Sequence, residues 1–158
     1  MSELPTILIT EDDDGHAFLM EDSLRRAGVD TQVRRFGDGQ EVLDFLFGRT
    51  KEASFAGEPP FLLLLNIRMP KVDGLAVLRR IKADRHLHKL TVIMVTTTDD
   101  PGEVDRCHAL GCNAYIQKPV SYQSFSDVMT RLGRFVTLLQ LPRFSTECAP
   151  ESTPPRFE

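Results

Sequence analysis

Five polar side chains stand where apolar runs end. Glu11 and Asp12 follow "TILIT" (6–10), Asn66 closes "FLLLLN" (61–66), Thr96 closes "TVIMVT" (91–96), and Lys118 follows "AYIQ" (114–117). Two carboxylates that converge repel each other unless a cation lies between them, and oxygen-only ligation suits Mg²⁺. A hydroxyl and an ammonium across the same pocket would bind the oxygens of a phosphoryl group. Such a set is suited to phosphoryl transfer, and position 66 is where the attacking carboxylate should be. It carries an amide instead.

These residues meet only if the apolar runs are neighbouring strands. "TILIT" is short and β-branched, and after the acidic cluster 11–14 the residues Ala17, Met20, Leu24 and Ala27 recur on one helical face that ends at Gly28. Asp13 or Asp14 is expected to cap that helix. "TQVRRF" (31–36) alternates as a strand, and Asp38 caps a helix that turns Val42, Leu43 and Leu46 inward. "FLLLLN" is apolar on both faces, as a central parallel strand must be. Asp73-Gly74 opens a third helix with Leu75, Leu78 and Ile81 on one side, and a fourth near 101–110 ends at Gly111. Ser121 caps the last helix, whose apolar residues run from Phe125 through Leu139 until Pro142 stops it. Five strand–helix pairs in strict alternation predict an α/β fold: a doubly wound five-stranded parallel sheet with ligand chemistry at the strands' carboxyl ends.

At 158 residues, the chain is sized for one domain, expected over residues 4–141, with a Pro/Ser/Thr-rich tail over 142–158. That tail is too short to fold a DNA-binding unit. A net charge of −4 argues against a nucleic-acid or membrane surface, and no apolar run approaches a membrane span. The opening residues "MSELPT" have no signal-peptide pattern, so a cytoplasmic location is expected. Cys107, Cys112 and Cys148 are odd in number and read as idle thiols of a reducing compartment. His16, His86, His88 and His108 show no ligand spacing and are expected at the surface.

The segments "ILITEDD", "LLLLNIRMPKVDGL", "IMVTTTDD" and "GCNAYIQKP" occur in the order and approximate spacing of bacterial response regulator receiver domains. Over residues 4–140 the chain resembles that family, with its flavodoxin-like (βα)5 fold. The insertion before the third strand, the doublet Thr97-Thr98 and the ending "FVTLLQLP" are most similar to single-domain regulators that partner phytochrome-type histidine kinases. The resemblance implies the following roles. Glu11 and Asp12 are the acidic pair at Mg²⁺, joined by Asn66 and the main-chain carbonyl of Arg68. Thr96 is the switch hydroxyl, Tyr115 the switch aromatic, and Lys118 the phosphoryl-binding lysine, followed by a cis bond to Pro119. The implied partner is a sensor histidine kinase. The apolar surplus at Phe135 and Leu138 suggests a homodimer through the fourth and fifth helices.

Asn66 takes the phosphoacceptor's place. An amide oxygen is a poor nucleophile, so this form should not be phosphorylated, and Mg²⁺ should bind weakly or not at all. Two histories fit: a natural receiver that signals by binding alone, or an aspartate replaced to trap the unphosphorylated state. The intact remainder of the site favours the second.

A magnesium-dependent phosphatase of the haloacid-dehalogenase type is the alternative, with Asp12 and Asp14 as its D-x-D. The residue two beyond is His16 rather than Thr or Val, and only the isolated Asp127 follows Lys118 in the folded part. A calcium loop at "DDDG" would need Glu where Ser23 stands. A nucleotide-binding flavodoxin-like protein would need a glycine-rich loop after the first strand, and none is present.

Overall fold

The computed structural model describes residues 4–51, 60–97 and 100–142, with the side chains of 49–51 excepted. The elements alternate: β1 (Thr6–Thr10), α1 (Asp14–Arg26), β2 (Val33–Phe36), α2 (Gly39–Lys51), β3 (Phe61–Leu65), α3 (Gly74–Ala83), β4 (Thr91–Thr96), α4 (Pro101–Leu110), β5 (Ala114–Gln117) and α5 (Tyr122–Val136). The sheet is parallel throughout, in the order β2-β1-β3-β4-β5.

Period-two alternation divides the strand side chains between two cores. Leu8, Leu63, Leu65, Val92 and Met94 pack with Val42, Leu43 and Leu46 of α2, Val77, Leu78 and Ile81 of α3, and Cys107 of α4. Ile7, Ile9, Leu62, Leu64, Ile93 and Val95 pack with Met20 and Leu24 of α1 and Phe125, Met129, Leu132 and Val136 of α5. Both faces of the central strands are therefore covered, which explains why they read as continuous apolar runs rather than alternating ones. From β1 the chain steps to β2 on one side and then returns past β1 to β3. The strand order thus reverses between β1 and β3, which opens a crevice at their carboxyl ends.

Each cap expected at a helix start is made by one acidic or hydroxyl side chain. Asp13 accepts from the His16 N–H at 2.8 Å, Asp38 from Glu41 at 2.9 Å, Asp73 from Ala76 at 2.9 Å and Ser121 from Ser124 at 3.0 Å. Asp100 adds a fifth cap, on Gly102 at 3.0 Å. At the end of α4, Gly111 takes φ 103°, and the Cys112 N–H reaches back to the Cys107 carbonyl at 3.1 Å. The Gly111 N–H bonds His108 in the same closure, a Schellman cap.

Two local expectations are corrected. Helix α5 ends at Val136, six residues before Pro142. The Leu138 and Leu139 N–H groups bond to the carbonyls three residues back, so the last turn tightens and unwinds there. Leu139 and Leu141 still pack on the core beyond the helix, so the apolar pattern outlasts the helical backbone. The Lys118–Pro119 bond is trans, since no cis peptide bond occurs among the described residues. Trans is the lower-energy isomer for X–Pro by about 0.5–1 kcal/mol unless surrounding structure overrides it. Thr98 of the threonine doublet, most of the insertion before β3, Cys148 and the tail after Pro142 lie outside the described residues.

Candidate functional site

The sheet register sets four strand ends side by side. Thr10 pairs with Leu65, and the Asn66 N–H continues that ladder to the Thr10 carbonyl at 3.1 Å. Glu11 bonds back to the Phe36 carbonyl at 3.1 Å, and the Lys118 N–H donates to the Thr96 carbonyl at 2.7 Å. Glu11, Asn66, Thr96 and Lys118 are all buried, whereas Asp12 is exposed at the mouth.

The amide nitrogen of Asn66 is the hub. Its Nδ2 donates towards Glu11 Oε2 at 3.3 Å, Asp12 Oδ1 at 3.3 Å and the Arg68 main-chain carbonyl at 3.1 Å. Three acceptors surround it, so the nitrogen rather than the oxygen must face them. Those acceptors are the oxygens assigned above to a metal. A polarised NH₂ thus occupies the centre of the acidic set and ties it together with partial positive charge.

Glu11 is held on every side. One carboxylate oxygen pairs with the Lys118 ammonium, and the other accepts from the Asp13 N–H at 3.1 Å as well as from Asn66. Its carbonyl accepts both Nε and Nη2 of Arg35, at 3.0 and 2.7 Å. A buried ion pair is tolerated only when its remaining hydrogen-bonding capacity is satisfied in this way. Gly74 fixes the loop after β3. Its N–H bonds the Ile67 carbonyl at 2.7 Å, and a Cβ there would run into the Asn66 carbonyl and lie 2.7 Å from Ile67 Cα.

Thr96 Oγ1 and Thr10 Oγ1 are buried and find no hydrogen-bond partner among the described residues. Leaving a buried hydroxyl unpaired costs about 1–3 kcal/mol. Tyr115 sits opposite Met94 in the ladder, half-buried against the α3–α4 core. Arg68 also reaches outward, its Nη2 lying 3.7 Å from the buried Glu103 of α4.

His16 was expected at the surface and instead reaches the pocket. Its Nδ1 lies 3.3 Å from Lys118 Nζ, and its ring stands edge-on to Phe125. Sequence spacing gives little sign of this, because the contact joins residues 102 positions apart. The D-x-D pair does not converge. Asp12 joins Asn66, while Asp14 turns out to solvent and bonds Arg35 at 2.6 Å, so nothing in the geometry supports the phosphatase alternative.

The oxygens of Asp12, Glu11 and Arg68 suit a hard cation in kind. All three already accept from Asn66, and Glu11 is neutralised by Lys118. Among the described residues no three His, Cys, Asp or Glu side chains gather closely enough to hold a metal by themselves. Asn66 would have to turn its amide to offer Oδ1. The set therefore fits Mg²⁺ by chemistry but with one charge fewer than two carboxylates and an acceptor aspartate would provide.

Comparison with known proteins agrees with this fold. The model of the response regulator receiver domain family matches residues 7–130. The polar-differentiation response regulator DivK of Brucella ovis is 32% identical over 124 residues, covering 78% of this chain and 92% of DivK. A response regulator receiver domain from Rhodospirillum rubrum superposes with TM-score 0.83 at 41% identity, covering 88% of this chain and 98% of that one. The phosphorylated cyanobacterial phytochrome response regulator RcpA superposes with TM-score 0.78 at 26% identity, covering 89% and 99%. With its parallel five-stranded sheet and the acidic pair, threonine and lysine at the sheet's carboxyl edge, this chain belongs to the response regulator receiver domain family.

Proposed function

We propose that this chain is a receiver that signals by protein contact and, with Asn66 in the acceptor position, takes no phosphoryl group. One observation carries the reading: the side chain at the end of β3 directs an amide N–H₂, not a carboxylate, at Glu11, Asp12 and Arg68. In a receiver with aspartate there, a carboxylate oxygen attacks phosphorus while the bond to the donor breaks. Mg²⁺, when bound, neutralises charge on the transferring group. Here Glu11, Asp12, Asn66 Oδ1 and the Arg68 carbonyl would hold that ion weakly. Lys118 would contact the phosphoryl oxygens, and the unpartnered Thr96 hydroxyl would gain an acceptor.

A sensor histidine kinase is the proposed partner. Phe18, Val120 and Tyr122 are large and exposed, and the Tyr122 hydroxyl overlies Gly15 at the start of α1, beside the pocket. A shallow groove of about 250 Å³ lined by Phe18, Glu21, Asp22 and Arg25 continues that face. The likeness to a phytochrome response regulator supports a phytochrome-type kinase. Exposed Phe135 and Leu138 support a homodimer through α4 and α5. The chain is read as a cytoplasmic signalling module rather than an enzyme, its unit being the receiver over residues 4–141 with the tail from 142. No helix among the described residues is long and apolar enough to cross a membrane.

The test is acetyl phosphate with Mg²⁺, read by intact mass. The chain is expected to gain nothing, whereas Asn66→Asp gains one base-labile phosphoryl group. A stable adduct on the unmodified chain would overturn the proposal.

A further inference from the structure

We propose that His16 is a positioning residue for Lys118: its imidazole accepts a hydrogen bond from the ammonium and fixes where that charge sits. The Nδ1–Nζ distance is 3.3 Å. An ammonium has donors only, so the ring nitrogen that faces it is the accepting one.

The ring itself is anchored twice. Its backbone N–H donates to Asp13 at 2.8 Å, which also holds the Asp13 carboxyl below the usual range. Its edge meets the Phe125 ring with centroids 5.7 Å apart at 78°. Phe125 lies 5.8 Å from the ammonium as well, so α1 and α5 enclose the lysine head between them.

A lysine head sits on a flexible four-carbon stem and has three N–H donors. Held by Glu11 alone, a nearly buried ammonium could pivot about that one contact. A second acceptor, carried on a different element, removes the freedom. The contact itself is independent of any phosphoryl chemistry. Its use, presenting the ammonium at a fixed point beside position 66, rests on the receiver reading.

Two substitutions separate the acceptor from the ring. His16→Phe keeps the aromatic cover and the Phe125 edge contact but removes the lone pair. His16→Asn places an acceptor oxygen close to where Nδ1 lies. In the chain as it stands, hydrogen exchange at Lys118 Nζ is followed by ¹H–¹⁵N NMR. Exchange should quicken about tenfold in His16→Phe, the scale of one lost charge-assisted hydrogen bond, and return to within about twofold in His16→Asn. A purely structural role for the ring would leave His16→Phe like the parent. That result, or His16→Asn exchanging as fast as His16→Phe, overturns the proposal.

A second arm repeats both changes in the Asn66→Asp form with acetyl phosphate and Mg²⁺. The phosphorylation rate should fall about tenfold in His16→Phe and recover in His16→Asn, with Mg²⁺ affinity unchanged. Equal rates in all three forms overturn the positioning role. No phosphorylation of Asn66→Asp itself overturns the receiver reading instead, and the exchange measurement still decides the contact.

Discussion

Replacing Asn66 by aspartate exchanges an amide nitrogen for a charged oxygen at the most crowded point of the pocket. The three contacts at 3.1–3.3 Å, now N–H donors facing oxygens, become oxygen against oxygen, two of them on carboxylates. For Glu11, which is buried, two unit charges 3.3 Å apart repel by about 5 kcal/mol at an effective dielectric of ~20. Lys118 lies against Glu11 and offsets part of this, and protonation of the new carboxyl limits the rest. A net loss of about 2–4 kcal/mol is expected without metal, in the range for disrupting a buried polar network. For a domain of this size each kcal/mol moves Tm by roughly 2–4 °C, so the fall is on the order of 5–15 °C. Divalent metal reverses it, since Mg²⁺ at a hundred times its Kd returns about 2.7 kcal/mol. The assay is thermal unfolding of both forms in chelator and in excess Mg²⁺. Asn66→Asp should melt lower in chelator and climb with Mg²⁺, while the parent should hardly respond. If Asn66→Asp matches the parent in chelator, or the parent shows the larger rise with Mg²⁺, the amide is not standing in for a cation.

Three further outcomes test the surface and the core. If Phe135 and Leu138 meet a second copy, burying each contributes about 1.5–3 kcal/mol, and Phe135→Glu should weaken the dimer more than tenfold by sedimentation; an unmodified chain that stays monomeric at high concentration removes the dimer. Burial, reinforced by neighbouring Cys112, pushes the Cys107 thiol up to about 11, and burial raises Cys112 too. In the Cys148→Ser form neither thiol should react with a disulfide reagent at pH 8, and rapid labelling of the folded protein would contradict this. The neutral thiol is favoured in the folded state, so Cys107 contributes stability that is full below pH 9 and is lost as pH rises towards about 11.

Element by element, the order of strands and helices was legible because both periodicities were clean. Phe61–Leu65 is apolar at every position because helices cover both its faces, and Asp13, Asp38, Asp73 and Ser121 announced helix starts because one side chain can satisfy an end N–H locally. The end of α5 was not legible. Leu139 and Leu141 stay apolar for reasons of packing after the helical bonds have stopped, so pattern and backbone part company.

By itself the sequence determined which residue types reach the sheet's carboxyl edge, and that position 66 has no attacking carboxylate. The alternation of strands and helices follows from local pattern, a property of short segments, whereas the order β2-β1-β3-β4-β5 within the sheet was settled by the fold. Only the tertiary structure decided that the Asn66 nitrogen bridges Glu11, Asp12 and Arg68, that Asp14 turns away, and that His16 meets Lys118. Apart from the local bond to the Arg68 carbonyl, those contacts join side chains from different elements within about 3 Å, a scale at which one rotamer decides the partner and sequence spacing carries no record of it.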